Sequence, residues 1–262
     1  MGRSGSRKPD LVFFRNLVRR QIRQDYLENL TGFAWLILQP LMLLAVYAFV
    51  FTTIFKSRLP DSDVGFVPYL AVAFWPWTAF SESILKASSA ISGNAALIGK
   101  VALSTEQLPL ATVTATFLMH SVGYLTVLIV LQLMGTEIHW IMIPVLIPVL
   151  LLLWLFASGL ALFASAFLVF VKDTAQMLPP LMTFWFFTTP IIYSLSQFPD
   201  RIAELMSWNP MAWFVDKIRQ IVLYGETGLG MKDLYMLIGI LLLSWLSLRF
   251  FRRFSDHFED FL

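Results

Sequence analysis

In 262 residues the chain carries 58% hydrophobic side chains against 14% charged ones, and 24 Phe, 9 Trp and 7 Tyr make up its aromatic 15%. A water-soluble domain carries about 25% charged residues, so a soluble globular enzyme is excluded and the solvent is a bilayer. A net charge of +2, from 19 Lys and Arg against 17 Asp and Glu, is too slight a bias for a nucleic-acid partner, and zero Cys removes disulfides, thiol catalysis and Cys-ligated metals together.

Residues 11–30 come first. Leu11, Phe14, Leu17, Val18 and Ile22 recur at helical spacing with Arg15, Arg19, Arg20 and Arg23 between them. That pattern predicts an amphipathic helix in the membrane interface, its arginines among anionic headgroups. The basic run ahead of an apolar one is also how a signal peptide begins. Here the apolar run 33–55 is about 23 residues long with no small-residue cleavage site, which predicts a retained anchor.

Six uncharged stretches follow, at 33–55, 64–81, 107–136, 138–171, 174–199 and 234–248. A spanning helix needs roughly 18 or more apolar residues, and the last stretch reaches that only if Arg249 snorkels while Phe250 and Phe251 extend it. The prediction is an all-α membrane protein with six spans, at about 33–55, 66–85, 107–134, 141–171, 175–193 and 233–251. Stretch 138–171 is longer than a bilayer core, so its helix is expected to start in the outer interface near Pro144 and Pro148 and run inward to Lys172-Asp173. Pro179-Pro180 and Pro190 predict a bent fifth span.

With the N-terminus inside, the inner segments hold 13 Lys and Arg and the outer ones six. That asymmetry places both termini in the cytoplasm. Between the second and third spans, 86–107 is polar and rich in small residues, and Asn94 to Ile98, with Gly93 before and Gly99 after, fit a short helix or an ordinary solvated loop. The outer segment 194–232 reads as two short amphipathic helices joined at Asn209-Pro210. Ile202, Leu205 and Met206 line the first; Met211, Phe214, Ile218, Ile221 and Val222 line the second. Each is too short to span, so a re-entrant or interfacial hairpin is expected. Glu82 is expected to pair with Lys86 at i+4, and His120 to make an interhelical hydrogen bond rather than relay protons. His120, His139 and His257 are scattered and predict no metal site.

These parts, in this order, resemble the permease subunits of type-2 ATP-binding-cassette exporters of polysaccharide, the class of O-antigen, capsule and teichoic-acid exporters. The resemblance covers about 17 to 251 and rests on Leu17-Val18-Arg19-Arg20, Tyr26, Gly32, Trp35, Leu38-Gln39-Pro40, the run from Val46 to Phe51, and Trp75. Asn94, Leu97-Ile98, Lys100, Glu106 through Pro109, Lys172-Asp173, Pro190 through Tyr193, and Asn209-Pro210 with Arg219 complete it. The chain departs from the family pattern at Asp25, where a basic residue is usual, and at Ser104-Thr105, where Pro-Arg is usual.

The resemblance implies a homodimer on two copies of a separate ATPase subunit, in the bacterial inner membrane. Its cargo would be a lipid-linked polysaccharide, O-antigen first, on an undecaprenyl-diphosphate carrier. It divides the chain into a cytoplasmic tail and interface helix (1–32), a membrane domain (33–251) with a coupling loop (86–107) and an outer gate hairpin (194–232), and a cytoplasmic tail (252–262). No glycine-rich loop ending in Lys-Ser or Lys-Thr occurs. Hence this chain is expected to be no enzyme and to hold no cofactor, with ATP and Mg on the partner ATPase. Asn94, Leu97, Ile98 and Lys100, with Lys172 and Asp173, are the expected ATPase contacts; Asn209, Pro210, Phe214 and Ile218 form the expected outer gate. Arg19, Arg20 and Arg23 suit a lipid diphosphate, and plain contact with anionic membrane lipids would look the same. Sugars slide along flat aromatic walls, so Trp35, Tyr47, Phe51, Phe55, Trp75, Phe184, Trp185 and Phe187 are candidate lining residues, each of which also suits a lipid-facing place. Two rivals remain at this point: an ion-coupled secondary transporter, which ordinarily needs ionisable residues at the midplane, and a membrane-embedded enzyme of lipid-linked sugars, which needs convergent acids, bases or a metal.

Overall fold

The computed structural model describes residues 11–27, 32–54, 64–96, 98 and 104–262. Among them nine α-helices and no strand occur: α1 (Leu11–Ile22), α2 (Gly32–Phe49), α3 (Phe66–Ser88), α4 (Gln107–Leu133), α5 (Ile143–Phe170), α6 (Thr174–Phe187), α7 (Asp200–Ser207), α8 (Pro210–Arg219) and α9 (Met231–Phe254). Helices α1, α2 and α8 each run on into a single π-helical turn, Arg23–Leu27, Val50–Ile54 and Gln220–Tyr224. An all-helical fold is what hydrocarbon demands, since each helix pairs its own backbone amides.

Among the described residues, three segments are long and apolar enough to cross a membrane: Gln107–Leu133, Trp140–Phe170 and Met231–Asp260. The other three expected spans are each different in kind. Helix α3 has 23 residues, about 34 Å, but carries Glu82 and Lys86 toward its end. Helix α2 contributes the shorter apolar stretch Leu41–Ile54. Helix α6 stops at Phe187, not near 193, and its 14 residues reach only about 21 Å. The cause is local. Pro190 disfavours helical geometry at Thr189, and the hydroxyls of Thr188 and Thr189 donate back to the Trp185 carbonyl at 3.1 and 2.8 Å, closing the last turn. By contrast Pro144 lies in the first turn of α5, where its missing N–H leaves no bond unmade.

Helix α3 is the hub, packed against α2, α4, α5, α6 and α8. One large apolar core runs from Phe66 and Leu70 of α3 through Phe156 of α5 to Phe214 of α8 and Met236 of α9. A second, at the other end, joins Leu17 and Val18 of α1, Ile91, Leu108 of α4, Val169 of α5, and Phe251 and Phe258. Helices α4, α5 and α9 contribute to both cores, so each runs from one end of the bundle to the other.

Close approach of α5 to α9 depends on Gly159, where an added Cβ would lie 2.9 Å from Leu243 Cδ2 and 3.1 Å from the Ser244 Cα. Small residues let helix backbones meet in this way. Gly159→Val is therefore expected to cost about 1–3 kcal/mol through overpacking, read as earlier thermal unfolding in detergent. Gly239→Val, where an added Cβ meets nothing within 4 Å, serves as the control and should leave the transition in place.

Candidate functional site

The residues expected to work on the cytoplasmic side lie together around the second core. Helix α1 buries Leu17 and Val18 and leaves Arg19, Arg20 and Arg23 exposed. Arg20, Gln21 and Gln24 share a shallow recess with Asn94, Leu108 and Thr112, so the arginine helix and the 86–107 loop line one site. Where a short helix or a solvated loop was expected from Asn94, Ser92–Asn94 forms a 3₁₀ turn, and the Asn94 amide donates to the Ala90 carbonyl at 2.9 Å. Ile98 is half-buried against the second core. Leu97 and Lys100 lie outside the described residues. Lys172 and Asp173 stand exposed at the α5–α6 turn, next to Phe170, whose ring meets Phe254, Phe258 and Phe261 at 5.6, 5.9 and 4.9 Å.

The aromatic candidates divide by burial. Trp35, Phe184 and Phe187 are exposed, and the last two share a face of α6 with Met177 and Leu181. Tyr47 is half-buried, stacked on Phe186 at 5.7 Å. Trp75, 1% exposed, donates its indole N–H to the His120 carbonyl at 3.0 Å. Trp185 lies among Trp77, Phe80 and Phe156. Trp75 thus sits inside the protomer, while Trp185 is half-buried. Phe55 and the Phe51 side chain lie outside the described residues.

At the opposite end, the segments expected outside converge. Asn209 caps α8, its Oδ1 accepting from Met211 N at 3.0 Å and Trp185 Nε1 at 2.9 Å, while its amide donates to the Thr188 carbonyl and the Thr189 hydroxyl. Pro210 follows at the first helical position, where proline fits. Arg219 is buried. Its guanidinium donates to the carbonyls of Tyr69, Pro190 and Ile191 at 3.1, 2.7 and 2.7 Å and lies 3.3 Å over the Tyr69 ring. Burial draws its pKa down to about 10, which leaves it a cation at neutral pH. Asp233, at the start of α9, accepts from Trp213 Nε1 at 2.7 Å and from Gly230 N at 2.6 Å, and pairs with Lys217 at 3.1 Å. Gly225, with φ +66°, ends the turn after α8, and His139 N donates to the Val222 carbonyl.

Helix α8 is thus fixed, not free. Phe214 and Ile218, expected in the gate, are 0% and 1% exposed, and Phe214 stacks on Phe156 of α5 at 6.0 Å. The apolar face that stays open belongs to α7, with Ile202, Leu205 and Trp208 exposed.

Comparison with known proteins gives this architecture a family. The ABC-2 type transporter family matches residues 13–223, well over half the chain. The chain belongs to the ABC-2 type transporter family. The O-antigen export system permease protein RfbA of Myxococcus xanthus is 32% identical over 200 residues, 75% of this chain and 74% of that protein. The protein of the same name from Klebsiella pneumoniae is 21% identical over 248 residues, 94% of this chain and 93% of its own. The polysialic acid transport protein KpsM of Escherichia coli is 26% identical over 256 residues, 96% of each. As an ABC-2 chain with long apolar helices, the protein is a multi-pass membrane protein.

One polar cluster inside this ABC-2 chain was half legible. Glu82 pairs with Lys86 at 2.7 Å, and its other oxygen meets His120 Nε2 at 2.8 Å, bridging α3 and α4 as expected for an isolated intramembrane histidine. Lys86 also reaches Asp25 at 3.3 Å, a contact that no local pattern in the chain marks. Arg219 stood out only as part of the family pattern, and nothing in the sequence marked the Trp213–Asp233 bond.

Proposed function

We propose that this chain is the six-span permease of an ATP-driven exporter that moves a lipid-linked polysaccharide, O-antigen first, out of the cytoplasm across the bacterial inner membrane. The observation that carries the reading is the separation of the two ends. The arginines of α1, Asn94 and Lys172-Asp173 gather at one end, and the hairpin, the start of α3 and the α4–α5 turn meet at the other. Both termini then lie in the cytoplasm, with α2 and α3 crossing despite their lower apolarity and α6 crossing with the help of 188–193. The names of the relatives support polysaccharide as cargo. Two copies of this chain act with two ATPase subunits that bind ATP and Mg.

In this mechanism the lipid diphosphate meets Arg19, Arg20 and Arg23, whose guanidinium forks match phosphate oxygens. The sugar chain then slides along the exposed rings of Trp35, Phe184 and Phe187, with Tyr47 at their edge. Closure of the ATPase pair pushes on the 86–107 loop and on Lys172-Asp173. Deleting the chain in its host and analysing surface polymer and inner-membrane lipid tests the reading. Loss of one surface polysaccharide with build-up of its lipid-linked form inside is the expected result; an unchanged surface with no build-up rejects it.

A narrower prediction concerns coupling. Asn94 is half-buried and lines the recess, so Asn94→Asp adds a charge there without removing core. With the partner ATPase present, export should fall while ATP hydrolysis continues. Export and hydrolysis falling together, or neither changing, would argue against a coupling role.

A further inference from the structure

The contact between α1 and the bundle has two unlike parts. Leu17 and Val18 are buried against the start of α4, while Arg19 and Arg20 are exposed, Arg20 at the rim of the recess with Asn94 and Leu108. Just beyond α1 the chain makes the π-helical turn Arg23–Leu27, which leaves Arg23 and Gln24 exposed but turns Asp25 inward. There Gln21 Nε2 donates to Asp25 Oδ1 at 3.0 Å, and Lys86 Nζ lies 3.3 Å from Asp25 Oδ2. Lys86 holds Glu82 at 2.7 Å, and Glu82 holds His120, 1% exposed, at 2.8 Å. The result is an unbroken chain of polar contacts from the end of the interface helix, through α3, to the middle of α4.

We propose that Asp25 and Lys86 are positioning residues: the Asp25–Lys86–Glu82–His120 chain ties α1 to the bundle and sets where its arginines stand. Several observations favour positioning over incidental surface pairing. The four groups come from three separate elements. Gln21, the residue that orients Asp25, also lines the recess with Arg20 and Asn94, so the tether ends at the wall of the candidate site. The apolar part of the contact, Leu17 and Val18 with half-buried Phe13, Phe14 and Ile22 beside them, is non-directional, so the polar chain is what fixes the register of α1 on α3 and α4. An amphipathic helix released in this way keeps its membrane affinity but loses its register on the protein. The proposal rests on the permease reading only for its consequence in transport; the tether itself does not.

The chain has no cysteine, so one added thiol reports on one place. Val18→Cys puts a thiol at the buried α1–α4 contact. In inside-out vesicles, Asp25→Asn and Lys86→Gln should each speed maleimide labelling of that thiol about fivefold, a factor typical of losing roughly 1 kcal/mol of holding energy. The double variant should be no faster than either single, because both cut one link. Asp25→Glu and Lys86→Arg keep the charges and should label at the parent rate, which separates a tether from general damage. As a separate single-thiol series, Leu229→Cys at the exposed far end, labelled in right-side-out vesicles, should react equally in all variants and certifies insertion. Parent-like labelling in both single variants, or additive acceleration in the double, overturns the proposal. Export assays then separate the two claims: fast labelling with undiminished export leaves the tether standing and removes the arginines from the substrate path.

Discussion

Replacing Arg219 by Met is expected to loosen the whole outer end of the bundle. The guanidinium is 4% exposed and supplies protons to three carbonyls on two segments, Tyr69 of α3 and Pro190 and Ile191 after α6. Methionine fills much of the volume but leaves those oxygens without donors, and a buried acceptor without its partner costs about 1–3 kcal/mol. The three losses overlap, so about 3–5 kcal/mol in total is expected, the range for breaking up a buried charged group's contacts. Arg219→Lys keeps the charge yet offers a compact ammonium where a planar fork is needed. It should recover less than half. Thermal unfolding in detergent reads both, and limited proteolysis near 194–230 reads where the loosening begins. A methionine variant that unfolds at the parent temperature would show that the hairpin is held by apolar packing alone.

How much of this was legible depends on what kind of signal each feature leaves in sequence. Helices α4 and α5 declare themselves, because an uncharged run of adequate length has one stable solution in hydrocarbon, whereas α9 has only the 234–248 run and needs its flanks to reach that length. The ends of helices are less visible. The early stop of α6 turns on Thr188 and Thr189 closing onto Trp185 ahead of Pro190, and from composition alone 174–199 is a single uncharged run. Burial is less visible still. Trp75 and Phe184 are both aromatic residues in apolar helices, yet one lies against His120 and the other is among the most exposed rings. Periodicity weakly distinguishes them in segments apolar on every side. Partners distant in sequence are hardest. Asp25 looked only like a departure from the family pattern, because nothing near it in the chain reveals Lys86, and Arg219 reaches Tyr69 across 150 positions.

The second large effect concerns which half of the outer hairpin can act as a lid. The permease proposed above needs a passage wide enough for a sugar chain, and such a passage is closed at rest by something apolar and movable. Helix α8 does not qualify, because Asn209, Arg219 and the Trp213–Asp233 bond hold it at three points and Phe214 is stacked on Phe156. Helix α7 does. Its main contacts are with Leu195–Gln197 and α8, none of its residues is buried, and Leu205, with Trp208 just after the helix, is exposed at 74% and 66%. Phe214→Ser is therefore expected to act on stability, at about the 3–5 kcal/mol of a large aromatic truncation in a core, and to lower the yield of folded protein. Leu205→Ser with Trp208→Ser removes no core contact and should leave the unfolding transition unchanged. In proteoliposomes without ATP, that double variant should raise resting ion conductance above the parent. Background conductance in the α7 double variant, together with a leak in folded Phe214→Ser protein, would return the lid to α8 and make α7 a passive element of the outer surface.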